Sequence, residues 1–574
     1  MTVFQTLLLA SGLLTIFRPA GEDMKLYQVD PLQKVFKESV YLVDQADTVL
    51  AARGEYATLQ IVARARRGIK DMDIRITDIR TETGARLTGA SAGWVGYVPI
   101  GRSYSDPAPD ILRTPSGYFP DPILTDSLFT VEAGEIQPLW ITVPVDTLAQ
   151  PGIYKGTVEV TGKIGKRSHS WRKDFHIKVF PVKLSRSPLL MTNWSSHFNP
   201  VALKFLNGGN PVEAYSPLYW DLIRMYAKTM AEHRQTVHRI FPTWHTQYTL
   251  DAEGKYSFDF SRFDKEVGIF DREGTLDLIE GGHLAWRSGG WNSDFFVEVP
   301  VPDDARSRAL HAGTCPQRVE NGLRFVILPV EDPRAQNFLT QFLPALKEHL
   351  EQKGWLDRYV QHIGDEPTPR NAPSYAKISA YVREYMPGVR LMEAVLAAKE
   401  LAGTIDIWVP VLSVLHRNWD FFQELKAQGK EVWYYTCTNP RGNYANRFIE
   451  LPLIKTRYLH WINFKYDLPG FLHWGLNFWG GDPFRSTASR DSGKLPAGDH
   501  AIIYPGYRKI YSSIRYEAER DGIDDYQLLR MLEKKDPEKA KALADGIILN
   551  FDSYDGSIPF FRKTRKELLE ALSE

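Results

Sequence analysis

The stretch YVQHIGDEPTP, residues 359–369, ends an apolar run in two adjacent carboxylates, Asp365 and Glu366, followed at once by Pro367. Neighbouring carboxyls repel, so one can keep its proton near neutral pH while the other is ionised. They titrate as a coupled pair. The proline fixes φ just beyond them and orients the turn. Such a pair suits hydrolysis of a glycosidic bond, which needs a proton donor for the leaving oxygen and stabilisation of an oxocarbenium-like transition state. The common solution sets two carboxylates on opposite sides of the ring, which sequence neighbours cannot easily do. They suit the exception in which the substrate's own 2-acetamido oxygen attacks the anomeric carbon. One carboxylate then holds the acetamido N–H and the other acts as acid and afterwards as base. The competing structural account is capping of the helix that starts near Asn371, because acidic residues favour helix N-termini.

A conventional glycosidase of another sugar specificity would pair one of the two with a distant carboxylate such as Glu280, Glu393 or Glu517, and a non-catalytic sugar-binding protein on the same scaffold is the remaining alternative, against which the intact Asp-Glu pair speaks. Other chemistries lack a signature. The two cysteines, Cys315 and Cys437, have no metal-binding or redox spacing, and HExxH, EF-hand and Walker patterns are missing, so no cofactor and no metal are expected. Lysine plus arginine equals aspartate plus glutamate at 70 each, which gives no electrostatic case for nucleic acid or an anionic membrane. The aromatic content is 15 Trp, 27 Tyr and 29 Phe, enough to serve both a core and sugar-stacking platforms. Residues 3–17 are apolar enough for an export signal and too short for a confident membrane span. Residues 1–24 are therefore read as a candidate signal segment, with Met24 as an alternative start and a periplasmic or extracellular enzyme as the expectation. The oligomeric state is not legible.

Two kinds of element must position the pair. Over residues 25–185 the pattern has period two, as in ATLQIVARA (57–65) and DMDIRITDI (71–79), with turn signals such as Pro151–Gly152. This predicts an antiparallel β-sandwich with no reactive cluster of its own. From 186 to about 510 strand-like runs alternate with amphipathic helices: LLMTNWSS, TVHRIFPTW, LDLIEGGHLAW, YVQHIGDEP, RLMEAV, IDIWVPVL, EVWYYTC and GFLHWGLNFW supply eight strands. That rhythm predicts a (β/α)8 TIM barrel. An excursion at 286–330, containing WRSGGWNSDFF, interrupts it, either as a lid or extra subsite over the mouth or as a surface hairpin. Residues 511–574 read as C-terminal helices packed on the barrel. Their charged stretch SIRYEAERDGIDDY is read first as a structural ion-pair network.

Barrel enzymes carry chemistry at the C-terminal ends of their strands. The candidates at those ends are His197 after the first strand, Arg239 in the second, Asp365 and Glu366 on the fourth, Trp408 on the sixth, Tyr435 on the seventh, and Trp474, Asn477 and Trp479 on the eighth. A buried histidine is as readily a satisfied core residue, and Trp408 as readily a core aromatic.

The ordered segments PLWITVPVDTLAQPGIYKGTVEV, HIGDEP, EVWYYTC, GFLHWGLNFW and IIYPGYRKIYSSIRYEAERDGIDDYQLL together resemble glycoside hydrolase family 123 over about residues 30–530. The resemblance implies an exo-acting β-N-acetylgalactosaminidase that works by neighbouring-group participation on a glycan or glycoconjugate. Asp365 would hold the acetamido group and Glu366 would be the acid/base. Tyr435, Trp461, Trp474 and Trp479 are implied as the acetyl pocket, with Tyr435 also able to donate to the acetamido oxygen. Asn477, His197 and Arg239 would reach ring hydroxyls.

Overall fold

The computed structural model describes residues 18–19, 23–39, 44, 48–101, 108–310, 313–396, 399–487 and 495–574. The apolar run at 3–17, on which the export signal was read, lies outside them. The protein is a multidomain mixed α/β chain. It divides into two compact units, residues 1–96 with 123–183, and residues 97–122 with 184–574. The second unit thus takes in the segment 97–122, and it holds the parallel sheets and the C-terminal helices together.

The first unit is β-rich. The alternation read from the sequence is realised as long antiparallel ladders. Tyr56–Ala65 pairs with Ile136–Pro144, and Gly152–Ile164, which starts at the Pro151–Gly152 turn signal, pairs with Arg167–Lys183 around the turn Gly165–Lys166. Leu59, Ile61, Leu139 and Ile141 from one sheet share a core with Met72, Val158, Val160, Phe175 and Ile177 from the other. Period-two burial on facing sheets is what drives those residues inward.

In the second unit each of the eight strand-like runs forms parallel strand. They lie in two hydrogen-bonded sheets. One has six strands in chain order, Val237–Ile240, Leu278–Gly281, Tyr359–Gln361, Arg390–Val395, Ile407–Pro410 and Glu431–Val432; the other orders Leu190–Asn193, Gly470–His473 and Tyr434–Thr436. The strands are buried on both faces, so they read as apolar runs rather than alternations. Helices lie between them. Pro217–Glu232 starts with Ser216 accepting from the Tyr219 N–H, and Pro333–Gln352 with Asp332 accepting from the Arg334 N–H; each has proline at its first position. The helix Leu453–Lys465 has no counterpart in the sequence reading. All its residues from Leu453 to Phe464 are buried. A helix enclosed on every side shows no polar stripe, so periodicity cannot reveal it.

The helix Ile514–Lys535 is the charged stretch singled out above, and it is a buried ion-pair spine. Arg515 meets Asp121 with two contacts of 2.8 Å and donates to the carbonyls of Arg447, Gly498 and Ala501 at 2.9 Å. Glu517 pairs with Arg520, Glu519 with Arg447, and Asp525 with Arg457 and Arg565. Among the described residues no helix is long and apolar enough to cross a membrane. Arg515 and Asp121 are fully buried, so Arg515→Met should destabilise this unit by roughly 3–5 kcal/mol, because it leaves a buried carboxylate and three carbonyls unpaired. The guanidinium unfolding midpoint checks this; an unchanged midpoint would mean the pair contributes nothing net.

Candidate active site

The strand Tyr359–Gln361 runs on through His362 and Ile363 to Gly364, and its direction is fixed from below. Glu393, on the neighbouring strand, accepts from the N–H groups of Ile363 at 3.0 Å and Gly364 at 3.1 Å and from the Tyr375 hydroxyl at 3.1 Å. Gly364 has no alternative: a Cβ there would lie 2.5 Å from the Phe295 ring. Beside it, His362 bridges two buried carboxylates, Nδ1 to Glu393 at 2.9 Å and Nε2 to Glu280 at 2.8 Å. Burial opposes its charge, but the two carboxylates outweigh burial and lift it to about 9. Glu393 is likewise held down to about 2: burial would raise it, and His362 and His283 overcome that. Glu280 also accepts from Trp194 Nε1 at 2.6 Å and Thr192 Oγ1 at 2.8 Å.

Asp365 and Glu366 follow, half-buried, at the edge of a cavity of about 1430 Å³. Glu366 has φ +43°, a left-handed conformation that costs a non-glycine residue energy and persists only where the surroundings enforce it. Arg287 enforces it. Its Nη2 donates to the carbonyl of Asp365 at 2.6 Å and of Glu366 at 3.0 Å, and its Nε donates to the Trp291 carbonyl at 2.8 Å. The guanidinium stacks 3.9 Å from the Trp291 ring centre. The Tyr435 hydroxyl donates to Glu366 Oε1. Burial and then the Asp365 charge push Glu366 up to about 7, against the Tyr435 hydrogen bond and Arg287. One carboxyl of the pair is therefore poised to hold a proton near neutrality.

The cavity is walled by aromatics. Trp244 and Trp286 lie nearly parallel, 5.9 Å apart, with both indole N–H groups donating to Glu298 at 3.0 and 3.3 Å. Trp474 and Trp479 also line it, Trp474 donating to Asp499 at 3.2 Å and Trp479 to the Ile503 carbonyl at 3.0 Å. Arg239 faces the cavity 3.8 Å above the Trp194 ring and is 8% exposed, and its Nε has no hydrogen-bond partner among the described residues. Burial lowers it to about 10. Asp499, also on the wall, is raised by burial to about 7.

Of the residues named from sequence, Asp365, Glu366, Tyr435, Trp474, Trp479 and Arg239 meet at this cavity. Four others do not line it. Trp461 sits in the all-buried helix and donates to Asp525 at 3.0 Å. Trp408 is core and donates to the Ile405 carbonyl. Asn477 ties the Ser196 N–H to the Tyr226 hydroxyl at 2.8 and 2.7 Å. His197 is fully buried against Glu266 at 2.7 Å. His197, Trp408 and Asn477 lay near strand ends, but strand-end position does not say which face a side chain shows, and Trp461 was named from the family resemblance alone. Tyr435 reaches Glu366 rather than open cavity. Glu280, Glu393 and Glu517, the distant carboxylates considered as partners, are buried in ion pairs with histidine or arginine and do not line the cavity.

Asp499 and Trp244 went unnoticed in the sequence, and Arg287 and Trp286 were seen only as part of the segment WRSGGWNSDFF, with no role given to either. Arg287 and Trp286 belong to the excursion, which is a four-stranded antiparallel sheet, Ala285–Arg287, Phe295–Pro302, Arg318–Glu320 and Leu323–Leu328, forming part of the cavity wall. The alternation in FFVEVPVP followed by LRFVIL was the available signal.

With this geometry in hand the comparisons are decisive. A model of the glycoside hydrolase 123 catalytic domain matches residues 203–532, and one of the glycoside hydrolase 123 N-terminal domain matches residues 35–162. The chain belongs to glycoside hydrolase family 123. It is a glycoside hydrolase. A solved family 123 enzyme from Clostridium perfringens, described in connection with glycolipid glycan hydrolysis, shares the fold at a TM-score of 0.70 and 17% identity, covering 96% of this chain and 97% of its own. A β-glucuronidase from Parabacteroides merdae is 13% identical over 84% of this chain and 51% of its own, with a TM-score of 0.28. A family 20 exo-β-N-acetylglucosaminidase from Vibrio harveyi is 8% identical over 91% of this chain and 99% of its own, with a TM-score of 0.25. Those two scores are too low to bear on function. No curated protein matches the sequence.

Two outcomes test the site of this family 123 enzyme. Arg287→Met should lower kcat by roughly 10²-fold while the chain stays folded, because it frees the backbone of the carboxylate pair; unchanged kcat would remove Arg287 from the machinery. The His362 pairing should stabilise the fold fully below pH 6.5 and lose that contribution as pH rises through about 9. Melting temperature measured across that window should fall more steeply in wild type than in His362→Gln.

Proposed function

We propose that this enzyme is an exo-acting, retaining β-N-acetylgalactosaminidase that uses its substrate's 2-acetamido group as nucleophile. The observation that carries the reading is the adjacency of Asp365 and Glu366 on one clamped turn, with Glu366 raised to about 7. In the first step the acetamido carbonyl oxygen attacks the anomeric carbon while the Glu366 carboxyl gives its proton to the departing glycosidic oxygen. The Asp365 carboxylate accepts the acetamido N–H and stabilises the bicyclic oxazolinium ion. Glu366, now ionised, takes a proton from water, which attacks the same carbon and reopens the ring with retention. Trp474 and Trp479 supply apolar surface for the acetyl methyl, and Arg239 supplies donors for ring hydroxyls. A cavity of about 1430 Å³ has room for a sugar and part of its aglycone, in keeping with a glycolipid or other glycoconjugate substrate like that named for the C. perfringens relative.

The architecture we infer is a β-sandwich followed by a (β/α)8 barrel. Hydrogen bonds between the two parallel sheets support closure: Thr236 N–H to the Met191 carbonyl at 3.1 Å, Trp433 N–H to the Trp408 carbonyl at 2.8 Å, and a parallel bridge between Val411 and Tyr435. The apolar run at 3–17 supports an exported enzyme.

Nitrophenyl β-N-acetylgalactosaminide should be cleaved and the plain β-galactoside left intact. Asp365→Asn and Glu366→Gln should each cost roughly 10²–10⁴-fold in kcat. With Glu366 as acid, kcat/KM should fall as pH rises through about 7, as the carboxyl ionises. A second reading rests on Asp499, a buried carboxyl on the same wall: cleavage of the plain galactoside, abolished by Asp499→Asn, would replace substrate assistance with a two-carboxylate mechanism.

A further inference from the structure

At the cavity wall, which His245 helps to line, a second cluster extends inward that the hydrolytic chemistry does not use. His197, His238, His245 and Glu266 are all at least 98% buried. His197 Nε2 lies 2.7 Å from Glu266 Oε1 and 3.2 Å from His238 Nε2, and His238 Nε2 lies 3.7 Å from the same oxygen. His245 Nε2 is 3.0 Å from the other Glu266 oxygen, yet neither atom has a hydrogen-bond partner among the described residues.

A single proton cannot satisfy this arrangement. The one hydrogen that His197 Nε2 can carry makes a straight bond either to Glu266 or to His238, and the other contact is left unfilled. His362 differs: that ring donates from both nitrogens to two separate carboxylates. In the His197 cluster the nitrogens converge on one carboxylate instead. Separations of 2.7, 3.2 and 3.7 Å are those of atoms each about 2.0–2.1 Å from a common centre, the bond length of zinc to imidazole and carboxylate. Behind the cluster the Ser195 hydroxyl bonds His197 Nδ1, and such a contact fixes which nitrogen turns to a metal.

We propose that His197, His238 and Glu266 bind a divalent transition-metal ion of zinc type, with His245 set against the second oxygen of the Glu266 carboxylate. Imidazole nitrogens favour such an ion over calcium or magnesium, which prefer all-oxygen shells. The ion is structural. It joins the segment after the strand Leu190–Asn193, the strand Val237–Ile240, the short helix Pro242–His245 and the helix Ser261–Arg272. It thereby braces Arg239 and Trp244, the cavity-facing neighbours of His238 and His245.

The test uses the full chain, untagged and purified without chelator. Elemental analysis should find about one zinc per chain, or the chain stripped with dipicolinate should take up one on titration and gain melting temperature. Calcium should produce neither effect. His238→Gln and Glu266→Gln should each weaken zinc binding at least tenfold. Should those variants fail to fold, cobalt titration of the stripped wild type decides the matter, with the visible absorption of four-coordinate cobalt expected. A wild type that neither carries nor binds zinc, or gives no cobalt spectrum, overturns the proposal. So does zinc uptake that is undiminished in both folded variants.

Discussion

A carboxyl group that must deliver a proton near neutral pH has to be kept from ionising, and the means is partial withdrawal from water beside a second negative charge. Glu366 meets both conditions, but they come at a cost, because the turn carrying it is forced into the left-handed region. That turn would relax if its carbonyls were free. The guanidinium of Arg287 occupies them instead, and the rest of the site is arranged around that contact. Trp291 and Phe295 flank the guanidinium, and Phe295 in turn requires glycine at position 364.

Below the turn, the structure invests in buried charge. Glu280, His362 and Glu393 form a chain in which each group is charged because its neighbour is. Such chains are poor sources of net stability compared with apolar packing. Their use here is directional: Glu393 accepts two consecutive backbone N–H groups where the strand gives way to the turn carrying the carboxylate pair. The helix Ile514–Lys535 repeats the device on a larger scale, joining Asp121, Asn193, Arg447 and Arg457 to one buried face.

The sequence made the large features legible because their signals are local. Period-two alternation marked the first unit, and the eight apolar runs that became parallel strands were each bounded by turn residues. The adjacent carboxylates were visible because type and spacing are enough to suggest their chemistry. What stayed hidden depends on three-dimensional facing. Trp461 and Trp474 are both tryptophans named for the same pocket, yet one is sealed inside a helix and the other lines the cavity. Leu453–Lys465 had no stripe to betray it. Arg287 lies 78 residues before Asp365, and no spacing rule connects an arginine in a hairpin to a carbonyl in a distant turn. The ligating-type histidines 197, 238 and 245 are likewise drawn from separate elements, so no compact motif announces them.

The excursion at Ala285–Leu328 has a double attachment to the site. One insertion supplies both wall residues of the cavity, such as Trp286, and the arginine that sets the backbone of the carboxylate pair. Selectivity and turnover are therefore not separable modules in this fold. Grafting the insertion from a relative to change the cavity wall would replace the backbone clamp of the carboxylate pair in the same stroke, so any such chimera needs an arginine in register with Arg287 to keep that turn as it is.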